Sequence, residues 1–379
     1  MKLGIVGCGN IAPRYARTIA KADGLELVAA TDVLPGRADE LVAEFGGRSQ
    51  PSLDALLADD EVEAVVNLTG AVTHASVTTA ALEAGKHVHT EKPMALTYAE
   101  ARGLADLATA RGLVLSCSPA TLLGEAQQTA WKLVREGAIG TPRVAYAEAN
   151  WGRIEVWHPS PLTLYAVGPA FDVGVYPLTI VTGIFGPARR VVAYGTTLLP
   201  ERTSFSIETP DLVVAVVELE SGVVVRLTAS FYVGPGKQRG LEIHGDDGML
   251  HLATWAEFDS RVELGNNDGK YERVELVREP YRGNDWSRAL VELADAVEEQ
   301  RAPRMGAHHA AHVVEILCAT AESARQGAPV DVHFRTGNVG GFARSQEQNG
   351  LGDFVDLAGP AHRDDTHALG THGRIGGAA

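Results

Sequence analysis

The sequence predicts an α/β chain of two domains. The first is built on a parallel sheet with helices packed on it; the second is α+β with a mostly antiparallel sheet. Three observations predict this. Residues 2 to about 118 alternate short β-rich runs with amphipathic helical runs, the pattern of right-handed βαβ crossovers. From residue 142 onward strand-like runs follow one another with tight-turn signals between them. The chain has 379 residues, 45% of them apolar, enough for two cores.

In order, the N-terminal β-rich runs are KLGIVG, LELVAATD, AVVNLT, HVHT and LVLSCS. Between them lie PSLDALLADD, HASVTTAALEAG and YAEARGLADLATARG, whose apolar spacing is helical. GEAQQTAWKLVREGAIG then reads as a helix, with Gly137 as its stop. PRVAYAEANW, RRVVAYGTTLL, DLVVAVVEL, VVVRLTASFY, LEIHG and RVELG follow as strands. Their turns are marked by Ser221-Gly222, Asp247-Gly248 and Asn267-Asp268-Gly269. Two helices, near 285–300 and 307–326, close the second domain. We place the domains at 1–120, 121–335 and a tail at 336–379. The tail is rich in Gly, His, Asp and Arg and has no apolar periodicity, so it is expected to be disordered.

Acidic residues outnumber basic ones 48 to 33, a formal net charge of −15. A general nucleic-acid or anionic-membrane binder carries a basic face, so neither partner is expected. Cys8, Cys117 and Cys318 are scattered without metal-ligand spacing, which suits reduced thiols. No leader-like segment precedes KLGIVG, and no apolar run reaches membrane-spanning length. The expected location is the cytoplasm.

Gly7-Cys8-Gly9-Asn10-Ile11-Ala12 matches G-x-G-x-x-A after a strand and at the start of a helix. Gly7 allows the tight turn, Gly9 lets backbone approach a pyrophosphate, and Ala12 keeps the helix close to the sheet. The N–H groups at Asn10 and Ile11 open the helix, whose N-terminus suits phosphates. This is a Rossmann dinucleotide site. Asp32 ends the next strand and can accept both ribose hydroxyls, which favours NAD. NADP stays open, because Arg37 or Arg48 could reach a 2′-phosphate.

With the glycine loop, the stretches AGKHVHTEKPMALT at 84–97 and GPAFDVGVYPL at 168–178 resemble the Gfo/Idh/MocA oxidoreductases, over roughly residues 1 to 335. The resemblance implies an N-terminal Rossmann domain and a C-terminal domain with an open-faced sheet. It implies that Lys92 of Glu91-Lys92-Pro93 bonds the reacting oxygen beside the nicotinamide. Proline also supports a cis bond, and one is expected between Lys92 and Pro93. Asp172 and Tyr176, four apart, share one face of the helix that resembles the family's active-site helix. A tyrosine titrates near 10 unperturbed, and a fixed ammonium at Lys92 is expected to lower that. Tyr176 then handles the hydroxyl proton and Asp172 orients substrate or lysine. Thr69 and His74, in LTGAVTHAS, correspond to cofactor-side positions. Trp157, His158 and Tyr165, in EVWHPSPLTLY, are expected to wall the substrate pocket, with His158 as an alternative base.

Two departures stand out. Ala166-Val167-Gly168 replaces three glycines, and Thr179 replaces an aspartate common in relatives. His308, His309 and His312 are expected to be solvated imidazoles at a helix terminus rather than a zinc site. The expected function is NAD(P)-dependent hydride transfer between nicotinamide and a secondary alcohol or carbonyl of a sugar, polyol or glycoside. The alternatives are a redox-neutral NAD-dependent glycosidase and a non-catalytic NAD-binding sensor. Family members pair through the open sheet, so a homodimer or homotetramer is expected.

Overall fold

The computed structural model describes residues 1–202, 205–234, 236–237, 240–285 and 287–333. The expected disordered tail lies outside the described residues. The first sheet is parallel throughout and built from β1 (Lys2–Val6), β2 (Glu26–Thr31), β3 (Arg48–Ser49), β4 (Ala64–Asn67), β5 (His87–Thr90) and β6 (Leu115–Cys117). Its order is β3-β2-β1-β4-β5-β6, so the chain reverses direction between β1 and β4. In such sheets ligands bind at that reversal, outside the carboxyl ends of the strands. The crossovers are α1 (Ala12–Lys21), α2 (Arg37–Phe45), α3 (Leu53–Leu57), α4 (His74–Glu83) and α5 (Tyr98–Arg111). Sequence sets their starts. Ser52 accepts the Ala55 N–H, and Thr97 accepts the Glu100 N–H while donating to the Glu100 carboxylate. β3 was not among the expected strands; at two residues it is too short to show a period.

Then come α6 (Glu125–Arg135), β7 (Pro142–Asn150), α7 (Pro161–Val167), α8 (Val175–Phe185), β8 (Ala188–Thr196), β9 (Leu212–Leu219), β10 (Val224–Ser230), β11 (Gly240–Gly245), β12 (Met249–Leu252), β13 (Val262–Gly265), β14 (Tyr271–Arg273), α9 (Arg288–Glu298), α10 (Ala307–Gln326) and β15 (Val330–Asp331). The second sheet runs β14-β13-β12-β11-β7-β10-β9-β8-β15, antiparallel except for the β7–β10 pair. β12, β14 and β15 add short strands to those expected. Along β7, Ala145, Ala147 and Ala149 are fully buried while their neighbours are half-exposed, so one face carries the core and the other is open. No single described helix is long and apolar enough to cross a membrane.

The last two helices do more than close the second domain. Leu290 and Leu293 of α9 are buried in one cluster with Tyr15 and Ile19 of α1. Ala311 and Val314 of α10 are buried with Leu104 and Ala105 of α5. Both helices therefore fasten the first sheet to the second. His309 and His312 correct the solvated-terminus expectation. Both are buried, with His309 Nε2 2.8 Å from Thr182 Oγ1 and His312 Nε2 accepting the Ala188 N–H at 2.9 Å. Burial, with His312 alongside, pushes His309 down to about 3. His308 reaches Thr109 Oγ1 at 3.3 Å. The helix packs against both sheets' domains, so His309 and His312 are buried while His308 stays half-exposed.

Gly7 is required by the backbone. Its φ is +92°, and a Cβ there would stand 2.8 Å from the Leu68 carbonyl carbon. Gly7→Ala is expected to cost about 3 kcal/mol from strain and overlap together. A urea titration with unchanged m-value checks this.

Candidate active site

The glycine loop and Asp32 meet at the carboxyl ends of β1 and β2. Gly7 N–H donates to Thr31 O at 2.9 Å, and Cys8 N–H donates to Asp32 Oδ2 at 2.7 Å. The other Asp32 oxygen accepts the Leu34 N–H at 2.7 Å, so the carboxylate is fixed beside the loop. A Cβ on Gly9 would meet nothing closer than Arg37 Nη1 at 4.0 Å, so the backbone there is open to a ligand's approach. Among the described residues no side chain caps α1, and Pro13 sits in its first turn. Asn10 is exposed and Ile11 half-exposed over that same end. This cradle fits a pyrophosphate with a ribose on Asp32.

Thr69 and His74 connect this end to the lysine loop. Thr69 donates its hydroxyl to Asn67 Oδ1 at 2.7 Å. The His74 ring nitrogens lie 2.9 Å from Thr69 O and 2.7 Å from Pro93 O. His74 is buried and its pKa stands below the ordinary value because burial disfavours imidazolium. The structure therefore places it as a tie between two loops.

Lys92 leaves the end of β5, followed by a cis peptide bond to Pro93. Its Nζ donates to Asp172 Oδ1 at 2.6 Å and to Asp172 O at 2.8 Å. The same nitrogen stands 5.2 Å from the centre of the Tyr176 ring. Burial works against the ammonium, but the charges of Asp172, Tyr176 and Glu91 outweigh it, and the pKa lies above the ordinary lysine value. Asp172 Oδ2 is buried and has no hydrogen-bond partner among the described residues. An oxygen in that state is an acceptor awaiting a donor.

Asp172 and Tyr176 do share a face, but not of one regular helix. Ala170–Gly174 forms a π-helical turn that runs into α8 at Val175. Such turns recur at functional sites. The expected lowering of Tyr176 is corrected: burial raises its pKa more than the Lys92 ammonium lowers it, and Glu91 and Asp172 add to the rise. The phenol is therefore the resting form. Its ring stacks on Trp255, centroids 4.8 Å apart, and Trp255 is pinned by its Nε1–H donating to Glu148 O at 2.9 Å. Sequence reasoning missed Trp255, which lies in a loop after β12 with no motif around it.

The three expected pocket residues separate. Trp157 is 44% exposed and packs against Trp151 and His158 at 5.4 and 5.6 Å. His158 accepts the Ser160 N–H on Nδ1 at 3.1 Å. Tyr165 is buried between Phe205 and Phe231, its hydroxyl donating to Glu155 Oε2 at 2.5 Å and its ring under Arg202. It braces the loop from behind, where its hydroxyl is already engaged.

Residues 1–118 match the model of the GFO_IDH_MocA oxidoreductases, described as an oxidoreductase family with an NAD-binding Rossmann fold, and residues 127–251 match the GFO/IDH/MocA C-terminal domain. The chain is 27% identical to the D-apiose dehydrogenase of Paraburkholderia graminis, over 70% of each protein. It is 28% identical to an inositol 2-dehydrogenase of Acidothermus cellulolyticus, over 67% of this chain and 73% of that one. An NAD binding oxidoreductase from Klebsiella pneumoniae shares the fold, with a TM-score of 0.78 at 20% identity over 88% of this chain and 99% of that one.

Proposed function

From a chain that belongs to the Gfo/Idh/MocA oxidoreductases and binds NAD in its first domain, we propose an enzyme that interconverts a secondary alcohol and a carbonyl on a sugar, polyol or glycoside. The observation that carries this is the cluster of Lys92 ammonium, the unpartnered buried oxygen of Asp172 and the Tyr176 phenol at the carboxyl end of the sheet. A polyhydroxy substrate suits it. One hydroxyl bonds Lys92 and Tyr176, and a neighbouring hydroxyl donates to Asp172 Oδ2. The named relatives act on a sugar and a cyclic polyol, which supports the same class.

NAD held by the glycine loop and Asp32 supplies the hydride acceptor, and its reduced form the donor. In oxidation the substrate's hydroxyl proton would pass to the phenolate form of Tyr176, and the carbonyl oxygen that results would stay on the Lys92 ammonium. In reduction Tyr176 returns the proton. Lys92 stays charged throughout and bonds the oxygen more strongly as negative charge builds on it. Asp32 beside the loop supports NAD over NADP. Trp157 supplies a flat apolar wall for a sugar ring, and His158 a hydrogen-bonding edge.

The test is NADH appearance from NAD against aldoses, inositols, anhydrosugars and glycosides at mildly alkaline pH, with NADP alongside. A substrate whose turnover disappears in Lys92→Met carries the proposal. Silence across the panel with NAD binding intact defeats it. Aglycone release without net NADH would point instead to the redox-neutral glycosidase.

Cys8, Cys117 and Cys318 take part in no disulfide, which fits a cytoplasmic location. The open face of the second sheet supports self-association. Val192, Tyr194, Val216 and Val224 are between 37% and 64% exposed on adjacent strands β8, β9 and β10. Wild type is expected to sediment as a dimer or tetramer and Val216→Arg as a monomer, read by sedimentation velocity.

A further inference from the structure

Behind Lys92 lies a closed group of buried polar side chains that the chemistry above does not use. Tyr15 is fully buried on α1, the helix that follows the glycine loop. Its hydroxyl donates to Glu91 Oε1 at 2.5 Å, across 76 residues of sequence. Ser118, just beyond β6, stands 3.0 Å from the same oxygen. The second oxygen, Oε2, accepts the backbone N–H of Lys92 at 3.0 Å. His89 completes the group, with Nε2 3.3 Å from Ser118 Oγ and Nδ1 2.8 Å from Ser116 Oγ.

The protons of this group can be assigned. Burial pushes His89 down to about 4, so it is neutral and carries one N–H. Burial, reinforced by Glu91, holds Tyr15 well above the ordinary tyrosine value, so it remains a donor. Ser118 gives its proton to Glu91 and accepts from His89 Nε2. His89 Nδ1 then accepts from Ser116. Three donors converge on Glu91, from Tyr15, Ser118 and Lys92 N–H. A buried carboxylate with that many donors is immobile, and it grips the main chain of the residue whose ammonium meets the reacting oxygen.

We propose that Tyr15 and Ser118 are positioning residues for Lys92, acting through the Glu91 carboxylate. This rests on the role given to Lys92 above. It makes the helix under the glycine loop and the end of β6 two supports of one catalytic ammonium. Neither support touches substrate. The lysine side chain must reach its oxygen with hydrogen-bond geometry, and a shift of an ångström at its backbone is enough to slow the step.

The experiment uses Tyr15→Phe, Ser118→Ala, Glu91→Gln and the Tyr15→Phe/Glu91→Gln double variant in the full chain, with a substrate found by the panel and Lys92→Met as reference. Tyr15→Phe and Ser118→Ala are each expected to lower kcat about tenfold, the loss of one hydrogen bond to a charged group. KM for the sugar and the calorimetric NAD affinity should stay within about twofold. In the Glu91→Gln background Tyr15→Phe should change kcat less than about twofold, because its route to Lys92 is already cut. A crystal structure of Tyr15→Phe should show Lys92 Nζ displaced from Asp172. A role limited to folding would lower Tm, leave kcat unchanged and multiply with Glu91→Gln; that result overturns the proposal. If Tyr15→Phe does not fold, Ser118→Ala decides alone. Normal kcat in these variants with a dead Lys92→Met sinks only this inference. Normal turnover in Lys92→Met sinks the functional reading and this one with it.

Discussion

Lys92→Met is expected to lower kcat by about 10²–10³-fold while leaving NAD affinity within about threefold. Removing a single preorganised donor to a developing oxyanion costs that much in other enzymes. The geometry explains why no neighbour substitutes. The ammonium is held by two oxygens of Asp172 and faces the Tyr176 ring, and the adjoining histidine, His74, has both ring nitrogens facing backbone carbonyls. NAD affinity survives because the cradle is built from the Gly7–Ile11 loop and Asp32, on other strands. Stability does not survive intact. Methionine leaves Asp172 buried without its cation, and breaking a buried pair from one side costs about 3–5 kcal/mol. Lys92→Met/Asp172→Asn should recover much of that loss in a thermal melt and recover no turnover. A double variant that regained activity along with stability would mean that the single substitution had failed by unfolding, and Lys92 would lose its assigned part.

How much of this was legible before the structure differs from residue to residue, for physical reasons. The first sheet, β3 excepted, was readable because its short apolar strands alternate with amphipathic helices, so pattern and topology coincide. Lys92, Asp172 and Tyr176 were readable because they sit in motifs local in sequence. The geometry that makes them a site was not. The π-helical turn at Ala170–Gly174 leaves the same residue spacing as an α-helix would suggest. Trp255 and Tyr15 reach the cluster through contacts across scores of residues, and nothing near either one announces a partner. Tyr165 shows the converse. An aromatic residue in the sequence looks alike whether it faces a pocket or a core, and in α7 it is Glu155, Arg202 and Phe231 that surround Tyr165. The sign of the Tyr176 shift was misjudged for a related reason. Charge neighbours can be guessed from motifs, but depth of burial cannot, and burial is the larger influence here.

That sign has a kinetic consequence, and Tyr176→Phe tests it. The buried phenol holds its proton past the ordinary tyrosine value near 10. Oxidation needs the phenolate, so the fraction of competent enzyme grows tenfold per pH unit below that pKa. The oxidative kcat should therefore climb through neutrality with a slope near one in a logarithmic plot. Reduction needs the phenol as donor, and the phenol is the resting form, so the reductive kcat should be flat over the same range. Tyr176→Phe should lower both directions by about 10²–10⁴-fold, the usual contribution of a positioned acid–base group. It should also abolish the oxidative slope. The slope discriminates between candidates. If His158 were the base, Tyr176→Phe would leave the oxidative pH profile as it is in the wild type. An oxidative profile that survives unchanged in the phenylalanine variant would move the proton from Tyr176 to His158.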